Sequence, residues 1–254
     1  MKLLSFVADG EALFGALSGD GVVTMNGRIG HASLREALAA GALEEMHKLA
    51  TVGKPDHKLA EIKFLPAIPR PEKILCAGIN YRAHAAETGH APPKQPSMFM
   101  RLPDTLVGHE GEMIRPSVSG EFDFEGELAV VIGRAGRHIK AERAFDHVAG
   151  YTCFVDGSVR DYQRFSVTAG KNFPGTGPLG PWIATNDEIP NPGRPPQRRR
   201  GPARLDQSPH PLDPRDRRLL LRLHRARRGR RDRDRHAARR RPQPHSAALD
   251  ESGR

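Results

Sequence analysis

Cysteine is scarce: Cys76 and Cys153 are the only two in 254 residues. Two cysteines so placed make neither a disulfide framework nor a zinc-site spacing. Both sit in apolar runs, which suits buried free thiols. Long apolar runs are also missing, and none approaches the roughly 18 residues of a membrane helix. The N-terminal run from Met1 to Leu13 is broken by Asp9, Gly10 and Glu11, too early for a signal peptide. A soluble, cytoplasmic protein with no membrane partner is the expectation.

A third absence is regional. The last 61 residues, from Arg194 onward, contain no Phe, Tyr, Trp, Ile, Val, Met or Cys. They also contain no Lys but 20 Arg, against 7 acids, a net of +13. The preceding residues carry 20 basic and 23 acidic side chains, a net of −3. The overall charge of +10 therefore belongs to the tail and not to the chain as a whole. Such a tail cannot bury enough apolar area to order itself. An Arg-rich arm can bind nucleic acid through phosphate charge, but this one lacks the aromatics that stack bases.

What is present is concentrated in one stretch, Asp123-Phe124-Glu125-Gly126-Glu127-Leu128-Ala129-Val130-Val131-Ile132. It opens on alternating acids and ends in a purely aliphatic run, the pattern of a buried strand. Strand side chains alternate faces, so Asp123, Glu125 and Glu127 would share one face. Three stacked like charges repel unless a cation joins them. Oxygen-only donors favour a hard divalent ion such as Mg²⁺, Mn²⁺ or Ca²⁺ over zinc. The alternative is the solvated acidic edge of an ordinary strand.

Elsewhere the pattern is coarser. Leu3–Val7 reads as a strand, with hairpin signals at Asp9-Gly10 and Asp20-Gly21. Ser33 can cap a helix carrying Leu34, Leu38, Leu43 and Met46, with Gly41 weakening its middle. Pro66, Pro69 and Pro71 mark a boundary. Lys73–Gly78 and Ser97–Arg101 read as strands, and Leu106–Pro116 as a loop. Val148–Phe154 is a β-rich run delivering Asp156. His84 and Glu87 lie three apart, on one face of a helix-like segment. Arg160, Asp161 and Gln163 fall in a helical turn, and Lys171 in a Gly/Pro-rich loop.

Four stretches together resemble the fumarylacetoacetate hydrolase family. They are Cys76–Glu87, the Glu125-Gly126-Glu127 segment, Gly150–Gln163, and Gly170-Lys171-Asn172-Phe173 with Gly177–Pro181. They occur in the family's order. The resemblance implies an α+β fold, a mixed β-roll with a small N-terminal α/β domain. It divides the chain into that domain at 1–68, an incomplete catalytic domain at 69–192, and the Arg-rich tail at 193–254. It implies metal ligands Glu125, Glu127 and Asp156, with Mg²⁺, or Mn²⁺ or Ca²⁺, as cofactor. His84 would move a proton, oriented by Glu87. Arg160, Gln163 and Lys171 would meet the substrate, Lys171 also serving catalysis. Asp123 would be an outer acid.

The implied activity is hydrolase or isomerase chemistry on small oxo-acids resembling fumarylacetoacetate, acylpyruvate or 2-hydroxymuconate, in the breakdown of aromatic compounds. The implied assembly is a homodimer. Three residues depart from the family pattern: Arg101 stands where Lys is more often found, Val155 where Asn is usual, and Gly157 where Val is usual.

After Pro192 the family pattern should continue to GDVIATGTPxGVG and then WMKxGD. A reading frame displaced by one base can restore it. Asp232/Arg233 and Asp234/Arg235 then allow only Ile or Thr, and Ile and Thr are the expected residues. His236/Ala237 and Asp250/Glu251 allow only Met or Thr, and Thr and Met are expected. A frameshift near Gly193–Arg200 is therefore expected. An inactive truncated family member and a nucleic-acid-binding arm remain the alternatives.

Overall fold

The computed structural model describes residues 1–78 and 97–189. His84, Glu87 and the tail at 193–254 lie outside the described residues. What is described is α+β and built on a large, mainly antiparallel sheet. Its main path runs β4 (His57–Lys58), β3 (Gly21–Thr24), β2 (Glu11–Ser18), β1 (Lys2–Ala8), β11 (Gly177–Thr185), β10 (Val148–Val159), β9 (Phe122–Ile132). β5 (Lys63–Phe64) joins β1, and β8 (Leu106–Val107) runs parallel to β11. A separate hairpin pairs β6 (Ile74–Gly78) with β7 (Ser97–Arg101).

The strands expected at the N-terminus form as the turn residues demand. Asp9 and Gly10 both take positive φ between β1 and β2, and Asp20-Gly21 follows β2. The expected single helix after Ser33 is two. Ser33 accepts a hydrogen bond from the Glu36 N–H and caps α1 (Leu34–Ala39). The chain then turns through Gly41 at φ +75° into α2 (Leu43–Val52). That left-handed angle suits glycine and ends the first helix there.

β1 is buried on both faces, which explains its mostly apolar run; Ser5 within it donates to the Ala67 carbonyl. Leu3 joins Phe14, Met25, Leu34, Leu38, Met46 and Ile183 in the larger core. Leu4, Phe6, Ala8 and Val22 form a second cluster. Each of these side chains other than Ala8 contributes ~1.5–3 kcal/mol when fully buried. β1 also pairs with β11, Lys2 opposite Ala184 and Leu3 opposite Ile183. One sheet thus joins residues 1–68 to the later strands, across the proline-marked boundary. The described residues belong to one compact unit.

β9 and β10 form the long ladder that matters for chemistry, with Asp156 opposite Glu125 and Phe154 opposite Glu127. β10 is held on its other side by β11. Gly150 makes that close approach possible, because a Cβ there would lie 2.2 Å from the Ala184 carbonyl oxygen.

Candidate metal centre

The β9–β10 register puts four acids on one face. Asp123, Glu125 and Glu127 follow along β9, and Asp156 faces Glu125 from β10. Glu125, Glu127 and Asp156 each offer an oxygen, all within 4.8 Å of one another. Asp156 is fully buried, and the two glutamates are partly buried. The three expected ligands are thus brought together. The expected outer acid, Asp123, points to Arg160 at 3.3 Å.

Three cations answer this charge. The Lys171 ammonium is bound to Glu125 at 2.7 Å and to the Oδ2 oxygen of Asp156. Arg160 donates to Glu125 at 3.0 Å and to Gln163 at 2.9 Å. The third cation, Arg101, is 1% exposed and holds the Oδ1 oxygen of Asp156. Arg101 was legible in the sequence only as a strand end. Its partner lies far along the chain, and a lone Arg after Met98-Phe99-Met100 gives no signal of pairing.

Lys171 sits elsewhere than the loop expected for it. It closes α4 (Val167–Lys171), which Ser166 caps by accepting from the Ala169 N–H. α4 packs on α3 (Arg160–Gln163) closely enough that a Cβ on Gly170 would lie 2.6 Å from Gln163 Cβ. Asn172 then ties the helix end to β7, accepting from the Leu102 N–H and donating to the Met100 carbonyl. A short capped helix, a glycine and an anchoring amide together carry a buried ammonium to the acids.

The electrostatics divide the acids. Burial alone would raise the Glu125 pKa, but hydrogen bonds and charge from Lys171 and Arg160 outweigh it and hold the carboxyl below its usual range. Glu127 behaves oppositely. Burial, then the charges of Asp156 and Glu125, push it up to about 7. Among the described residues Glu127 has no hydrogen-bonding or ion-pair partner. Cys76, buried beside this cluster, is pushed up to about 12, chiefly by burial and then by Asp156 and Glu127.

The donor set fits a hard divalent ion. It is oxygen-only, two of its carboxylates already converge on one ammonium, and the third lacks a partner among the described residues. Glu125, Glu127 and Asp156 would hold the ion.

Fold and site together describe a carboxylate-lined α+β scaffold. The family model for the fumarylacetoacetate hydrolase C-terminal region matches residues 73–232, and the chain belongs to that family. That match ends inside the Arg-rich stretch. The human mitochondrial oxaloacetate tautomerase FAHD2A is 42% identical over 137 residues, 52% of this chain and 44% of that protein. The oxaloacetate tautomerase YisK of Bacillus subtilis is 41% identical over 145 residues, 54% of this chain and 48% of that protein. The chain spans about half the length of the curated relatives it matches. Among solved structures, maleylpyruvate hydrolase from Sphingobium sp. SYK-6, in complex with manganese(II) and pyruvate, superposes with TM-score 0.62 at 27% identity. That match covers 76% of this chain and 70% of the other. A 5-carboxymethyl-2-hydroxymuconate delta-isomerase from Mycobacterium smegmatis gives 0.54 at 28% identity, covering 73% and 67%. No described helix is long and apolar enough to cross a membrane.

Proposed function

We propose that this chain carries the metal centre of a divalent-ion-dependent enzyme acting on a small oxo-acid, by keto–enol isomerisation or by hydrolytic carbon–carbon cleavage. The observation that carries this reading is the convergence of the Glu125, Glu127 and Asp156 carboxylates. The tautomerase relatives favour isomerisation of a 2-oxo dicarboxylate, and the maleylpyruvate hydrolase favours cleavage as the second reading.

An ion held by those three carboxylates, Mg²⁺ or Mn²⁺, would supply Lewis acidity to a developing enolate. The rest falls to side chains. Lys171 adds positive charge beside the oxygen that becomes anionic. Arg160, steadied by Gln163, pairs with a substrate carboxylate through its planar fork. His84 moves a proton between carbon and oxygen, and Glu87 fixes its tautomer. The protein works as a homodimer in the cytoplasm, and the Arg-rich tail reflects a displaced reading frame.

The test follows oxaloacetate enol-to-keto conversion by its ultraviolet absorbance, with maleylpyruvate as the second substrate. Turnover that EDTA abolishes and Mn²⁺ or Mg²⁺ restores supports the reading. Turnover that persists at full rate in EDTA overturns it.

A further inference from the structure

Arg101 does more than neutralise a buried acid. Its guanidinium donates to four acceptors. One is Asp156 Oδ1. The others are the Gly157 carbonyl at 3.0 Å, Thr176 Oγ1 at 2.8 Å and Thr105 Oγ1 at 3.4 Å. Both hydroxyls are themselves oriented. Thr176 donates to the Phe173 carbonyl at 2.6 Å, and Thr105 to the Leu102 carbonyl at 2.7 Å. Each therefore turns its lone pairs toward Arg101.

The surroundings are shaped for this side chain. A Cβ on Gly177 would lie 3.0 Å from the guanidinium, so glycine leaves room for it. The Phe154 ring stands beneath, 5.3 Å from the guanidinium carbon. Gly157 donates its N–H to the Thr176 carbonyl at 3.1 Å. A Cβ on Gly157 would lie 2.2 Å from that oxygen. The absence of a side chain at 157 is thus what lets Thr176 come close enough to serve Arg101.

The two cations on Asp156 differ in kind. Lys171 holds Oδ2 as a point charge on a flexible stem, shared with Glu125. An incoming ion can displace it. Arg101 is locked by four acceptors and cannot leave Oδ1 without stranding a buried donor.

We infer that Arg101 is a positioning residue that restricts Asp156 to a single oxygen, Oδ2, as a metal ligand. The inference rests on the proposed metal function. A one-oxygen Asp156 keeps open a coordination position that a two-oxygen Asp156 would close. A chelating oxo-acid requires two such positions.

The test uses the full chain and Mn²⁺ alone. The infrared difference spectrum between Mn²⁺-loaded and metal-free protein reports carboxylate denticity, and ¹³C-aspartate labelling isolates the Asp156 bands. The expected aspartate bands have the wide splitting of one-oxygen ligation. Arg101→Met should narrow that splitting and remove one of the waters counted on Mn²⁺ by proton relaxation. Arg101→Lys should move Mn²⁺ affinity less than Arg101→Met does. A narrow, two-oxygen aspartate splitting in the wild type overturns the inference, whether or not the variants fold. So does a folded Arg101→Met protein with wild-type splitting and water count. Failure of the wild type to bind Mn²⁺ overturns instead the metal reading on which it rests.

Discussion

Asp156 stands directly opposite Glu125 in the β9–β10 ladder, and Lys171 bridges the two carboxylates from α4. Facing acids on a sheet are destabilising by themselves. This pair persists because each carboxylate has more than one buried or half-buried cation. Glu125 is shared by Lys171 and Arg160, and Asp156 by Lys171 and Arg101. Glu127 lies one pleat further and is left out of that pairing.

Removing a ligand carboxylate should therefore be severe. Glu125→Ala or Glu127→Ala should lower Mn²⁺ affinity by more than the ~10–100-fold typical of losing an outer-sphere partner. Turnover should vanish with it. Calorimetric titration with Mn²⁺, paired with the oxaloacetate assay, checks both. Wild-type affinity in either variant would remove that residue from the ligand set.

The Glu127 carboxyl makes the metal-free protein sensitive to pH. Its folded pKa is raised from the ordinary 4.5 of a glutamate to about 7. Between those values the folded state binds more protons than the unfolded state, so stability falls as pH rises through the window. Below about 4.5 the contribution is fully present, and above about 7 it is lost. A divalent ion replaces the proton, so the melting temperature gained from Mn²⁺ should grow over the same range. Melting curves at pH 5 and pH 7.5, in EDTA and in Mn²⁺, measure this. Glu127→Gln should flatten the EDTA difference, and an unchanged slope in that variant would assign the effect to another group.

The two thiols should separate cleanly. Cys76 is 7% exposed and pushed up to about 12, so it holds almost no thiolate near neutral pH. Cys153 is partly exposed on β10. A disulfide reagent at pH 8 should label Cys153 in the folded protein and reach Cys76 only after unfolding. Peptide mapping of the labelled chain identifies which thiol reacted first.

The acids were legible because their signal is local. Asp123, Glu125 and Glu127 announce a common face through period two, and Asp156 lies in a contiguous run of strand residues. The fold class was legible through the family's motifs and the hairpin signals that flank β2. The break in the first helix was half-visible in Gly41, but its cause is a left-handed backbone angle that no composition shows. Lys171 looked like a loop residue because α4 has only five residues and two of its neighbours are prolines or glycines. Arg101 was not legible as a site residue at all. Its role depends on Asp156, Thr176 and Thr105 meeting in three dimensions, and none of these contacts leaves a periodic trace.

The reading frame makes a prediction independent of the protein. Sequencing the gene across codons 185 to 254 should find one base gained or lost near Gly193–Arg200. The constrained junctions at Asp232/Arg233, Asp234/Arg235 and His236/Ala237 motivate this, since each allows two residues and includes the one expected. A confirmed frame makes the Arg-rich stretch part of the protein. Steeply salt-dependent nucleic-acid binding that disappears when the stretch is removed would then support the arm reading.

Placing a side chain at Gly157 should do harm here. Valine brings a Cβ to 2.2 Å from the Thr176 carbonyl oxygen, a separation that backbone on both sides must move to relieve. Overpacking of this kind costs ~1–3 kcal/mol. The strand β10 and the turn before β11 would part, weakening the Gly157–Thr176 backbone hydrogen bond and carrying Thr176 away from Arg101. Gly157→Val should therefore unfold at lower denaturant concentration and also bind Mn²⁺ more weakly, whereas Gly157→Ala should show the same two effects at smaller size. Denaturant melts of the three proteins, each followed by Mn²⁺ titration at a concentration where all remain folded, separate the contributions. A valine variant as stable as the wild type would mean that β10 and the Thr176 turn can separate without cost, and that glycine at 157 has no structural role.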